Sequence, residues 1–163
     1  MIIPQEIIDE LIAQAQKDAP DESCGYLLGV DDTVTENYWM ENIDHSPEHF
    51  SFAPKDQFAA LRYARQKGLK ILANWHSHPA SPSRPSQEDL RLANDPTIRY
   101  AILSLLDGKV NLNSFKIIGG EVVDKEIHLE SIEERESNVC CDASWWGICR
   151  LVTPCVGMHR LCV

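Results

Sequence analysis

Residues 69–79 read Leu-Lys-Ile-Leu-Ala-Asn-Trp-His-Ser-His-Pro, and no other stretch restricts the fold so closely. A short apolar run is a candidate central strand, and Pro79 turns the chain out of the sheet directly after it. Strand side chains alternate between faces, so His76 and His78 point the same way and Ser77 the other way. Both imidazoles can then reach one point just past the strand end. Residues 79–85 hold three prolines and exclude regular structure. Ser86 opens a short helix, SQEDLRLAND, and Asp89 falls in its first turn. If that helix folds back over the strand end, His76, His78 and Asp89 form a three-ligand site for Zn²⁺ with the fourth position open to water. Two plainer readings stand beside this one. His-x-His pairs arise by chance, and Ser86-x-x-Asp89 is also a capping box.

The flanking sequence supplies the other elements. Pro4 followed by Ile7, Ile8, Leu11 and Ile12 gives one apolar stripe and predicts a helix over 4–18. Ser23–Val30 reads as a buried strand and Thr33–Met40 as its partner across Asp31-Asp32. Pro54 opens a second helix in which Phe58, Leu61, Tyr63 and Ala64 are expected to face the core, and Gly68 ends it. Tyr100–Leu106, Val110–Ile118 and Val122–Leu129 predict three further strands, joined by turns at Asp107-Gly108 and Gly119-Gly120. Strands flanked by helices, with hairpins at the end, predict a single α/β domain: a mixed sheet sandwiched by helices.

The chain of 163 residues is long enough for one domain with a real core. Lys+Arg number 15 against 25 Asp+Glu, a net charge of −10. That balance argues against nucleic-acid binding through a basic patch and against docking on an anionic membrane. No apolar run of about 18 residues predicts a membrane span. The N-terminal residues lack the basic-then-apolar pattern of a secretory signal, so the cytoplasm is the expected address.

The spacing His76-Ser77-His78, seven residues, Ser86, two residues, Asp89 matches H-[ST]-H-x7-S-x2-D at every fixed position. In this the chain resembles the JAMM (MPN-plus) metalloprotease family. Pro20-Asp21-Glu22-Ser23-Cys24-Gly25-Tyr26-Leu27-Leu28-Gly29 resembles the family's upstream segment, and Asn42, Phe50 to Pro54 and Ser114-Phe115 add to the likeness. The resemblance covers roughly residues 1–130 and implies an MPN-type fold with a layout related to the cytidine deaminases. It implies one zinc ion per chain, held by His76, His78 and Asp89. Glu22 is implied as the acid/base that takes a proton from water and passes it to the leaving amine, and Ser86 as a hydrogen-bond donor to the oxyanion. Family position picks Glu22 over its neighbour Asp21. The reaction so implied is hydrolysis of an amide, peptide or isopeptide, at the C-terminal tail of a ubiquitin-like, β-grasp sulfur-carrier protein. The short loop 43–50 leaves no room for the insertions with which eukaryotic members grip polyubiquitin, so the chain resembles the compact prokaryotic members. A tail of glycine type would suit a narrow groove beside the metal.

Three other classes are weighed against this. A non-catalytic MPN-type interaction scaffold would need a broken motif, and this one is intact. A nucleoside deaminase would need H-x-E and P-C-x-x-C, but His78 stands at the Glu position and Thr153-Pro154-Cys155 lacks the second cysteine. A DNA-repair relative would need a basic patch. Among the remaining residues, Cys24 reads as a small buried residue, Trp75 as core, Ser77 as a hydrogen-bonding support, His45 and His49 as solvated and His128 as surface.

Residues 136–163 carry Glu136, Asp142, Arg150 and Arg160, so the net charge resides in residues 1–135. The expected organisation is a JAMM-like domain over 1–135 and a Cys/Trp-rich extension over 136–163. Cys149, Cys155, His159 and Cys162 do not fall into paired C-x2-C knuckles.

Overall fold

The computed structural model describes residues 1–130, which form one α/β domain. The expected extension over 136–163, with Trp145-Trp146 and its cysteines, lies outside the described residues. No helix among the described residues is long and apolar enough to cross a membrane.

Six strands form one sheet: β1 (Cys24–Val30), β2 (Thr33–Met40), β3 (Lys70–His78), β4 (Arg99–Ser104), β5 (Asn111–Ile118) and β6 (Glu121–Glu130). Their order is β2-β1-β3-β4-β5-β6. The β3–β4 pair is parallel and the other pairs are antiparallel, so the sheet is mixed. The parallel pair requires a crossover, and the chain makes it through the proline-rich loop and a short helix. Three helices complete the domain: α1 (Gln5–Asp18), α2 (Pro54–Lys67) and α3 (Gln87–Leu92).

Strand alternation divides the core into two faces. Ile7, Ile8, Leu11 and Ala15 of α1 pack on Leu27, Val34, Ala73, Trp75, Ala101, Leu103 and Leu112. The opposite face holds two smaller clusters. Cys24, Met40 and Phe52 meet Ala60 of α2, while Ile102, Phe115 and Ile117 meet Ala93 at the end of α3. His76 and His78 emerge on this second face. Trp75 is fully buried on the first, with its indole N–H donating to Asn37 Oδ1 at 2.8 Å.

The expected elements are present, with local differences. The first helix begins one residue after Pro4, which is its N-cap. The fourth strand stops at Ser104, because Leu106–Gly108 form a 3₁₀ turn with Asp107 and Gly108 at positive φ. The face expected for the second helix is wrong. Phe58 is 62% and Leu61 40% exposed, whereas Ala60 and Ala64 are buried. Small residues let α2 approach the sheet closely, and that contact overrides the hydropathy of its larger side chains. Tyr63 is half-buried and donates to Glu36 at 2.6 Å. Gly68 ends the helix at φ 70° in the left-handed region, as expected. Gly25 answers a different need: a Cβ there would collide with the Tyr38 carbonyl and stand 2.8 Å from the Trp75 indole nitrogen.

Candidate active site

The site lies where β1 and β3 meet at one end of the sheet. β3 carries His76 and His78 on one face by simple alternation. The antiparallel register pairs Cys24 with His76, and the Ser77 N–H donates to the Ser23 carbonyl at 2.8 Å. Continued outward, that register sets Glu22 opposite His78, and Glu22 Oε1 lies 3.8 Å from His78 Nε2. Asp21 has the opposite parity. Strand pairing thus supplies a physical reason for Glu22 over Asp21. Ser77 points away from the histidines, as alternation requires, and is fully buried. Its Oγ accepts the Ser23 N–H at 2.8 Å, fixing the residue next to Glu22.

Asp89 arrives from the crossover. Ser86 caps α3: its Oγ accepts the Asp89 N–H at 3.1 Å and donates to Asp89 Oδ2 at 2.7 Å, while the Ser86 N–H also donates to Oδ2. The capping box is therefore real, and it aims the Asp89 carboxylate at the histidines. Asp89 Oδ1 is 3.4 Å from His76 Nε2, and Oδ2 is 3.7 Å from His78 Nε2. The two Nε2 atoms are 3.0 Å apart. Glu22, His76 and His78 each offer a ligand atom within 4.8 Å of the others, an arrangement able to hold a metal ion. Glu22, His76, His78 and Asp89 thus converge. Ser86 stands beside them, exposed, with its hydroxyl engaged by Asp89.

Electrostatics follow from burial and proximity. Desolvation pushes the Glu22 carboxyl up to about 8, against the pull of His78 and with the push of Asp89. Burial lowers His76 below its ordinary value despite the Asp89 hydrogen bond. For His78 burial acts in the same direction, but Asp89, the Pro82 carbonyl and Glu22 outweigh it and raise the group. Burial opposes ionisation of Asp89, yet hydrogen bonds from His76, His78 and Ser86 hold it well below the usual carboxylate range. In the neutral ring, His78 Nδ1–H donates to the Pro82 carbonyl at 2.9 Å and leaves the Nε2 lone pair for the shared point. Burial pushes the Cys24 thiol up to about 12, consistent with a small, inert core residue.

Several side chains outside the motif also shape the site. The Phe50 ring stacks on His76 with centroids 4.7 Å apart. The Asn42 amide donates to the Glu22 and His49 carbonyls and accepts the Asp44 and Ser51 N–H groups, tying loop 41–51 to the site. Asn74 lies two residues before His76 on the same face, a placement that strand period alone gives away. His45 and His49 are exposed as expected, and His49 pairs with Asp44 at 3.2 Å. His128 is not a surface residue: its side chain is 8% exposed and its Nε2 lies 2.8 Å from Ser114 Oγ and 3.7 Å from Glu126 Oε2.

Two clefts reach the site. One is lined by Phe50, Asn74, His76, Asp89, Leu92 and Tyr100 among others. The second is lined by Glu22 together with Asp18, Asp21, Trp39, Asn42 and His45.

The chain is 27% identical to the CysO-cysteine peptidase of Mycobacterium tuberculosis over 132 residues, 79% of this chain and 90% of the relative. It is 27% identical to a protein of Thermus thermophilus named "Probable TtuB-protein conjugate cleaving protease", over 76% of this chain and 80% of the relative. The solution structure of protein DSY2949 from Desulfitobacterium hafniense superposes with a TM-score of 0.70 and 41% identity, covering 82% of this chain and 95% of that one. Residues 4–134 match the family described as prokaryotic homologues of the JAB domain, and the chain belongs to that family.

Proposed function

We propose that this protein is a zinc-dependent peptidase or isopeptidase that cleaves the amide bond at the C-terminal tail of a ubiquitin-like, sulfur-carrier-type protein. The observation that carries the reading is the convergence of two imidazoles, the Asp89 carboxylate and the buried Glu22 carboxyl at one strand end. Nitrogen and oxygen ligands about 2.0–2.2 Å from a tetrahedral zinc stand roughly 3.3–3.5 Å apart. The two Nε2 atoms stand 3.0 Å apart, and the Asp89 carboxylate brings Oδ1 to 3.4 Å from His76 and Oδ2 to 3.7 Å from His78, so the donor set fits the ion. Held there, zinc supplies Lewis acidity that polarises a carbonyl and brings the pKa of water to about 7.

The chain's own residues supply the rest. Glu22, buried with Oε1 3.8 Å from His78 Nε2, is placed to accept a proton from water and return it to the leaving amine. Ser77 and Asn42 hold the N–H and the carbonyl of the Glu22–Ser23 peptide and so position Glu22. Ser86 donates to the oxyanion once its hydroxyl is released from Asp89. Phe50 covers one face of the His76 ring and keeps water from it. The substrate class is carried over from relatives that act on CysO–cysteine and on TtuB–protein conjugates.

The test is incubation of the full chain with purified ubiquitin-like proteins carrying C-terminal extensions, read by mass spectrometry with and without a chelator. Near-stoichiometric zinc and chelator-sensitive release of the extension are expected. Glu22→Ala should retain metal and lose cleavage, whereas His76→Ala and Asp89→Ala should lose both. An active Glu22→Ala protein would refute the acid/base assignment, and absence of bound metal would refute the hydrolase.

A further inference from the structure

The metal motif leaves the seven residues between His78 and Ser86 unspecified, and in this chain they read Pro79-Ala80-Ser81-Pro82-Ser83-Arg84-Pro85. Three of the seven lack a backbone N–H, so the loop has few means of holding itself. Yet it has one group to hold in place. The Pro82 carbonyl, 2.9 Å from His78 Nδ1, is the acceptor that turns the Nε2 lone pair toward the shared point. Within the loop the Arg84 N–H donates to the same carbonyl at 2.8 Å.

The sheet supplies the remaining support. Ser104 of β4, fully buried, donates through Oγ to the Ser81 carbonyl at 2.7 Å. Asn113 of β5, also buried, donates through Nδ2 to the Ser83 carbonyl at 2.9 Å and to Ser83 Oγ at 2.8 Å. The buried Ser83 hydroxyl donates in turn to the Ile102 carbonyl at 2.6 Å and accepts the Asn113 N–H at 3.2 Å. Ile102 and Asn113 face each other across β4 and β5, so this hydroxyl bridges two strands. Buried hydrogen-bond networks of this kind rigidify the segments they join.

The anchors bracket Pro82. Ser104 holds the peptide before it, and Asn113 holds Ser83 after it. The pyrrolidine ring fixes φ of Pro82, which leaves ψ as the backbone torsion that aims its carbonyl. Anchoring Ser83 sets that torsion. Neither Ser83 nor Asn113 belongs to the motif or lines either cleft that reaches the site. Their effect on the site runs through Pro82.

We propose that Asn113 and Ser83 are positioning residues, whose buried clamp on the proline-rich loop fixes the Pro82 carbonyl and through it holds the His78 ring with Nε2 turned toward the metal position. This deepens the hydrolase reading and rests on it in taking His78 as a zinc ligand.

The test uses the full chain as wild type, Asn113→Leu and Ser83→Ala, with Leu11→Ala as a control that weakens the other face. The first readout is the His78 tautomer in the metal-free protein, followed by nitrogen NMR at a pH where both imidazoles are neutral. The wild type should hold its proton on Nδ1, and each clamp variant should shift toward a mixture of tautomers. The second readout is zinc affinity by chelator competition. Each clamp variant should bind zinc about tenfold more weakly, while Leu11→Ala stays within about twofold of wild type. A clamp that merely supports the fold would lower the thermal midpoint and move neither readout, and that result would overturn the proposal. So would a change in one readout without the other. If neither clamp variant folds, the wild-type tautomer decides: a proton resident on Nε2 would overturn the proposal. A wild type that binds no zinc ends the hydrolase reading and leaves the tautomer to judge the clamp. Conjugate cleavage with unchanged zinc affinity in both clamp variants ends the clamp and keeps the hydrolase.

Discussion

The two faces of the sheet are built differently. The face under α1 is one continuous cluster of large aliphatic side chains closed by Trp75. The opposite face is split into two small clusters, one meeting α2 through Ala60 and one meeting the end of α3 through Ala93. The gap between them is where Glu22, His76, His78 and Asp89 stand. One face stabilises, and the other gives up apolar packing to hold buried polar groups whose proton affinities are shifted, Glu22 and His76 by burial and His78 and Asp89 by their hydrogen bonds. The split is possible because strand alternation lets Trp75 and Ser77 serve one side while His76 and His78 serve the other.

This contrast can be broken in graded steps. Glu22→Gln should lower turnover by about 10²–10⁴-fold, measured on a cleavable conjugate, while the thermal midpoint does not fall. A loss of stability matching the loss of turnover would show that Glu22 holds the fold instead. Leu11→Ala, on the other face, should cost about 2–5 kcal/mol in denaturant unfolding and leave turnover per folded molecule intact. Ser77→Ala crosses between the faces, since its hydroxyl is buried with the first but fixes the backbone beside Glu22. It should cost about 1–3 kcal/mol and also slow turnover, with metal content unchanged. Leu61→Ser should change stability by no more than about 0.5 kcal/mol, because that side chain is exposed. A larger loss would restore the expectation that Leu61 belongs to the core.

Much of the site is legible in the order of residues along the chain. His76 and His78 share a face because alternation is a property of consecutive peptide units in a strand. Asp89 can be placed over them because proline forbids regular structure in 79–85, and Ser86 reads as its cap. Phe58 and Leu61 mislead, because hydropathy marks which residues can be buried but not which face a partner will cover. His128 misleads for the same reason: Glu126 and Ser114 reach it from other positions on the sheet.

The choice between Asp21 and Glu22 shows where local pattern stops. Locally the two carboxylates are equivalent. The register between β1 and β3 separates them, setting Glu22 across from His78 and turning Asp21 away. Burial then raises the Glu22 carboxyl to about 8. The sequence by itself determined the strands, the turns and the spacing of the ligand set, because these depend on neighbours along the chain. Only the tertiary structure decided which acid faces the histidines, which side of α2 is covered and that Asn74 Oδ1 has no hydrogen-bond partner among the described residues. Desolvation and hydrogen-bond satisfaction depend on what surrounds a group in space, and no local pattern encodes that.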